Sequence, residues 1–205
     1  MIIDVHVIVR KDENPTKLSK CLDSLVGEPI NLHICDFIPK VGNARISALL
    51  KCKSDWVSWV DPDDYILPNA FSKCLETIKN NPHITAVYTN HWSLSKKVSK
   101  KWFNVISTET EKLWQLQQMH HIVVYKKSVI EAEYPYMQDV VTKDKKLFNL
   151  AALRSGTVKG IDEPLYMWNS EGGNHEKYNG KQNPLRWHER VNEYYKSLRQ
   201  IRNYH

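Results

Sequence analysis

Three aspartates, Asp61, Asp63 and Asp64, stand within four residues, directly after the apolar run Trp56 to Val60. Carboxylates this close repel one another unless a cation sits among them. Oxygen ligands at that density suit a hard divalent ion, Mg²⁺ or Mn²⁺, shared with the phosphates of a substrate. The same residues also suit a solvated turn that leads into a helix at Pro68, because Asp and Pro are ordinary turn formers. A further carboxylate, Asp144, follows Thr142, which reads as a helix cap. In the first turn the helix dipole favours the ionised acid. Such a group can take a proton from a hydroxyl, or it can simply stabilise the helix.

The other residues able to do chemistry read as structural. His6 and His33 alternate within strands and His120-His121 begins one, none at metal-ligand spacing with a cysteine or a second histidine, so core or edge positions are expected. Cys21, Cys35, Cys52 and Cys74 contain no C-x-x-C pair and read as buried thiols of a reducing compartment.

The elements that must position the acids follow from periodicity. Residues 2–9 alternate, with Ile3, Val5, Val7 and Val9 on one face and Asp4 and His6 on the other, which predicts a strand. Asn14-Pro15 supplies a cap and a first-turn proline for a helix carrying Leu18, Cys21, Leu22 and Leu25. Strands are expected over 31–37, 55–60 and 86–88, with helices opening at Gly42-Asn43 and Pro68-Asn69. The first ninety residues thus read β-α-β-α-β-α-β, a parallel sheet with helices on its faces. In such sheets ligands sit at the carboxyl ends of the strands, where the acidic run falls. The second half reads as mixed: strands over 97–107 and 121–125, a helix around 113–117, a helix from Thr142 to Gly156, short extended pieces at 158–161 and 165–168, a polar loop over 170–183, and a helix over 184–204.

At 205 residues the chain suits one domain, 1–205, divided into halves 1–92 and 93–205. Hydrophobic residues make up 41% and charged residues 25%, which excludes wholesale disorder. A formal charge of +6 and a pI near 9.0 favour anionic partners: nucleotides, nucleic acid or a phospholipid surface touched peripherally. No apolar run approaches the roughly 18 residues of a membrane span, and the N-terminus lacks a signal-peptide pattern, so a cytoplasmic location is expected.

Taken in order, several segments resemble the GT-A glycosyltransferases of family 2. Asp61-Pro62-Asp63-Asp64-Tyr65-Ile66-Leu67-Pro68-Asn69-Ala70 is similar to that family's D-x-D segment. Val7 to Arg10 with Cys21 to Leu25 resembles its opening, and Gly42-Asn43-Ala44-Arg45 its G-x-x-x-A-R-N stretch. Thr142 to Leu147, with Gly156 and Glu163-Pro164-Leu165-Tyr166, resembles its E-D-x-x-L segment with the trailing G and P-L-Y. The likeness runs over about residues 2–170. It implies an α/β GT-A-like, Rossmann-type sheet with helices on both faces, a mixed second half and a C-terminal helix.

It also implies roles. Asp61 would face the ribose and diphosphate end of a nucleotide-sugar, Asp63 would bind the Mn²⁺ or Mg²⁺ bridging its phosphates, and Asp64 would support it. Asp36 would stand at the base and Arg45 would steady that side of the pocket. Asp144 would be the general base, and His175 would close over the phosphates or join the metal. The sequence departs from the family at Lys143, where a glutamate is usual, which leaves Asp139 as a rival base. It also departs between Asp36 and Gly42, where a helix-strand unit is missing. Asn183 to Trp187 echoes the Q-x-x-R-W of processive members and reads as a helix start.

The activity implied is hexosyl or pentosyl transfer from a nucleotide-sugar donor to an acceptor hydroxyl, on a surface glycan or a lipid-linked saccharide. The alternatives are a hydroxymethylated base of phage DNA, with Lys96-Lys97, Lys100-Lys101, Lys126-Lys127 and Lys145-Lys146 as phosphate contacts, and a non-catalytic nucleotide or nucleic-acid binding module.

Overall fold

The computed structural model describes residues 1–94, 99–102, 119, 121–138 and 145–169. Their elements run β1 (Ile3–Val9), α1 (Pro15–Ser24), β2 (Ile30–Asp36), α2 (Val41–Leu49), β3 (Trp56–Val60), β4 (Tyr65–Ile66), α3 (Ala70–Asn80), β5 (Ile84–Leu94), β6 (Ser99–Trp102) and β7 (Val123–Lys126). Two short helices follow, α4 (Lys127–Ile130) and α5 (Tyr134–Met137), joined by a 3₁₀ turn; α6 (Lys145–Ser155) and β8 (Thr157–Asn169) complete the set.

The strands form a sheet in the order β2-β1-β3-β7-β5-β8-β4, with β6 paired to β5. β1 runs parallel to β2 and β3, as the βαβ pattern requires. The wholly parallel sheet expected for the first half is interrupted: β7 lies antiparallel between β3 and β5. Periodicity assigns strands to the chain but leaves their neighbours open. The two extended pieces expected over 158–168 are one strand, β8, parallel to β5 with register shifts opposite Thr89 and Asn90. Pro164, aligned with Asn90, has no N–H to give the ladder, which fits an irregularity there.

Both faces of the sheet are covered. Val5 and Val7 pack with Cys21 of α1, Leu25 at its C-cap, and Phe71, Cys74 and Ile78 of α3. On the other face Trp59, Tyr88 and Tyr125 pack with Leu49 of α2 and Leu147, Phe148 and Leu150 of α6. For this reason Asp4 and His6, which alternation alone assigns to a polar face, are fully buried. Asp4 answers its burial with hydrogen bonds: its carboxylate accepts from the Lys53 and Ser54 N–H groups, the Ser54 hydroxyl and the Asn31 amide. The cysteines are free and buried.

The caps show where local signals hold. Asn14 accepts from the Thr16 and Lys17 N–H groups and Pro15 opens α1, as its sequence indicates. α3 begins at Ala70, because Asn69 takes a left-handed conformation (φ 65°) and makes no side-chain cap. Instead the Glu28 carboxylate accepts from the Ala70, Phe71 and Ser72 N–H groups. A carboxylate there satisfies the free donors and complements the helix dipole. The expected helices around 113–117 and over 184–204, the loop 170–183 and the outer part of the strand over 97–107 lie outside the described residues, as do Asp139, Asp144 and His175.

Candidate functional site

β3 buries all five of its residues, so the chain leaves the sheet at Asp61 from a fixed point. The Asp64 N–H donates to the Asp61 carbonyl at 3.0 Å, which curls the acidic run into a turn. β4 then pairs with β8 and brings Tyr166 beneath that turn. The Tyr166 hydroxyl donates to Asp64 Oδ2 at 2.6 Å and accepts the Asp61 N–H at 3.3 Å. The Asn169 N–H donates to Asp64 Oδ1 at 2.7 Å. Both oxygens of Asp64 are therefore engaged, and the turn is fastened to the end of β8.

Two cations face Asp61. The Arg45 guanidinium, on α2, lies 3.5 Å from Oδ1 and 5.4 Å from the Trp59 ring centre. The Lys145 ammonium, on the first residue of α6, lies 3.2 Å from Oδ2. The three carboxyls are thereby pushed apart in acidity. Burial would raise Asp61, but Lys145 and Arg45 prevail and bring it down to about 2. Burial and the Asp61 charge raise Asp64 to about 8, against the opposing hydrogen bonds from Tyr166 and Asn169. Burial and Asp61 also raise Asp63. Neighbouring acids in unequal surroundings are a mark of functional sites.

Ligand atoms of Asp61, Asp64 and His121 lie within 4.8 Å of one another. The two carboxylates suit a hard divalent ion such as Mn²⁺ or Mg²⁺, while the imidazole suits a transition ion better than Mg²⁺. The His121 ring stacks on Tyr166, with centroids 4.8 Å apart and planes 7° apart, and on Trp168 at 5.7 Å. That stacking fixes its orientation beside the turn. Asp63, expected as the metal ligand, is partly buried and is not one of these three. Arg45, Asp61 and Asp64 come together as one cluster, whereas Asp36 is exposed at the end of β2, on the far side of β1 from β3. His121, expected to begin a strand in a core or edge position, lies in a bend before β7, and no local signal ties it to the acidic turn. Lys145 carried a signal, as half of a basic pair, but its burial did not show.

The sequence model of glycosyl transferase family 2 matches residues 3–131, more than half of the chain. The chain belongs to this family. No curated protein matches it in sequence. The fold is that of the GT-A glycosyltransferase TarS of S. aureus: TarS 1-349 aligns with a TM-score of 0.66 at 16% identity, covering 83% of this chain and 61% of that one. TarS 1-349 in complex with UDP-GlcNAc aligns with a TM-score of 0.68 at 15% identity, covering 88% and 62%. The family 2 chain described here thus spans about three fifths of the length of those structures. Among its described residues no helix is long and apolar enough to cross a membrane.

Proposed function

We propose that the protein transfers a sugar from a nucleotide-sugar donor to an acceptor hydroxyl. The observation that carries this reading is the cluster of Asp61, Asp64 and His121 beside the buried Arg45 and the half-buried Lys145, at the carboxyl end of a parallel strand in a family 2 domain. Asp61 and Arg45 serve the ribose and diphosphate side of the donor, and Asp36 the base. Asp61, Asp64 and His121 would hold a divalent ion, with Asp63 and His175 as further candidates. When bound, that ion supplies positive charge to a departing nucleoside diphosphate. Tyr166 and Asn169 hold Asp64 in place. Asp144, adjacent in sequence to Lys145, takes the acceptor proton as the hydroxyl attacks.

Residues 1–92 form the donor half and 93–205 the acceptor half, although Lys145, Tyr166 and Asn169 reach into the donor site from the second. A saccharide is the acceptor we favour over DNA, although of the basic pairs named above Lys126 is exposed. Lys145 is half-buried on Asp61, and the Lys127 ammonium donates to the Cys52 carbonyl at 2.8 Å and lies 3.6 Å from Glu131. Neither is left as a solvated charge for a phosphate backbone.

The test is a thermal-shift screen of UDP-, GDP- and dTDP-sugars with and without Mn²⁺, followed by product analysis with saccharide acceptors. A rise in melting temperature with one donor, larger in Mn²⁺, is expected. No shift with any donor removes the reading. A shift without hydrolysis or transfer leaves a binding module.

A further inference from the structure

Lys145 stands where a surface lysine would be unremarkable, at the start of a helix and beside a second lysine. Its side chain is only 19% exposed and its ammonium is committed to Asp61. The helix behind it cannot drift, because Leu147, Phe148 and Leu150 of α6 are buried in the core. A buried ammonium is costly without an anion, so Lys145 can leave Asp61 only for another negative group. Asp61 can release it, since Arg45 remains at its other oxygen and the Asp61 side chain is one-third exposed.

We propose that Lys145 grips the diphosphate of the donor, resting on Asp61 until the donor arrives. This rests on the donor reading above. Of the two cations, Arg45 is the less free, with a side chain 6% exposed and a guanidinium lying over Trp59. Lys145 is the more exposed of the pair, and a compact charge on a flexible stem follows a phosphate oxygen readily. The exchange is of ion-pair partners, with no bond made or broken. It also limits the cost of bringing an anionic diphosphate to a turn that already carries carboxylates. The competing role is a plain tether that holds α6 against β3.

Titration calorimetry on the full chain separates the two roles. UDP, GDP and dTDP are titrated in Mn²⁺, and the diphosphate that binds is then compared with its own nucleoside. K145M is expected to weaken the diphosphate about 10- to 100-fold, the range of one charge-assisted hydrogen bond, and to leave the nucleoside unchanged. K145R should fall between K145M and the unmodified chain. Equal diphosphate affinity in K145M overturns the proposal while leaving the donor reading intact. Equal losses of diphosphate and nucleoside overturn it in favour of the tether. If K145M does not fold, K145R carries the test, with a smaller loss confined to the diphosphate expected and unchanged affinity overturning it. If the unmodified chain binds none of the three diphosphates, the donor reading itself falls, and the proposal with it.

Discussion

Tyr166 joins two acids that would otherwise repel each other: its hydroxyl accepts from the Asp61 backbone and donates to the Asp64 carboxyl, in a fully buried position. Tyr166→Phe keeps the ring on His121 and removes both bonds. A loss of about 1–3 kcal/mol of stability is expected, the cost of leaving a buried polar group unmatched. Urea unfolding would show it as a lower midpoint at unchanged slope, and an unmoved midpoint would remove Tyr166 from this role. The base is tested by a pair of variants. Asp144→Asn should cut transfer by about 10²–10⁴-fold with donor affinity nearly intact, and Asp139→Asn should do far less. Steady-state rates beside donor titrations decide it, and the reverse outcome would shift the alignment of that segment by five residues.

The helices and sheet edges carry their own test. Glu28 caps α3 from outside the helix, so Glu28→Ala should cost about 1–2 kcal/mol, as the loss of an N-cap does. Thermal melts would register it, whereas Asn69→Ala should lose no cap bond and cost only the strain of placing Ala at a left-handed φ that Asn tolerates. Gly156→Ala is also expected to destabilise, since an added Cβ would sit 2.7 Å from Thr85 Cγ2 beneath the α6–β8 turn. These contrasts show what the sequence could reveal. β1, α1, α2 and β3 were legible because their signals are local: alternation, an Asn-Pro cap, a Gly-Asn start. The cap of α3 was not, because Glu28 lies 42 positions before Ala70. The place of β7 between β3 and β5 was not, because pairing is decided by partners far along the chain. At the site, the acidic run was legible from density of charge alone. His121 and the burial of Lys145 depend on packing that no short window contains.

Across the whole molecule, buried titratable groups give stability pH dependences of opposite sign. Burial, with His33 adding to it, lowers His6 to about 4, and burial lowers His91 to about 4. Below pH 6.5 the unfolded chain therefore takes up protons that these two histidines refuse in the folded chain, so their contribution is full above 6.5 and falls toward 4. Each histidine removes up to about 3 kcal/mol across that window. Asp64, raised to about 8, works the other way and adds stability as pH falls from 8 toward 3.8. Asp4 acts lower still. Burial would raise it, but its hydrogen bonds hold it well below the usual carboxylate range, so its contribution is present above pH 3.8 and is lost as pH falls through the folded value. Melting temperatures measured from pH 7.5 to 4.5 should fall more steeply in Asp64→Asn, which keeps the two histidines and loses the opposing acid, than in the unmodified chain, and parallel profiles would contradict the assignment. The fastening of the acidic turn has one more consequence, in the order of synthesis. Asp64 leaves the ribosome early, yet Tyr166 and Asn169, which secure it, follow 102 and 105 residues later, and Lys145 trails Asp61 by 84. Since a nascent domain cannot close contacts it has not yet made, a chain stalled before β8 would carry the whole acidic motif without the Tyr166 and Asn169 bonds that fasten it. The cluster closes late in translation, with the last described strand of the sheet.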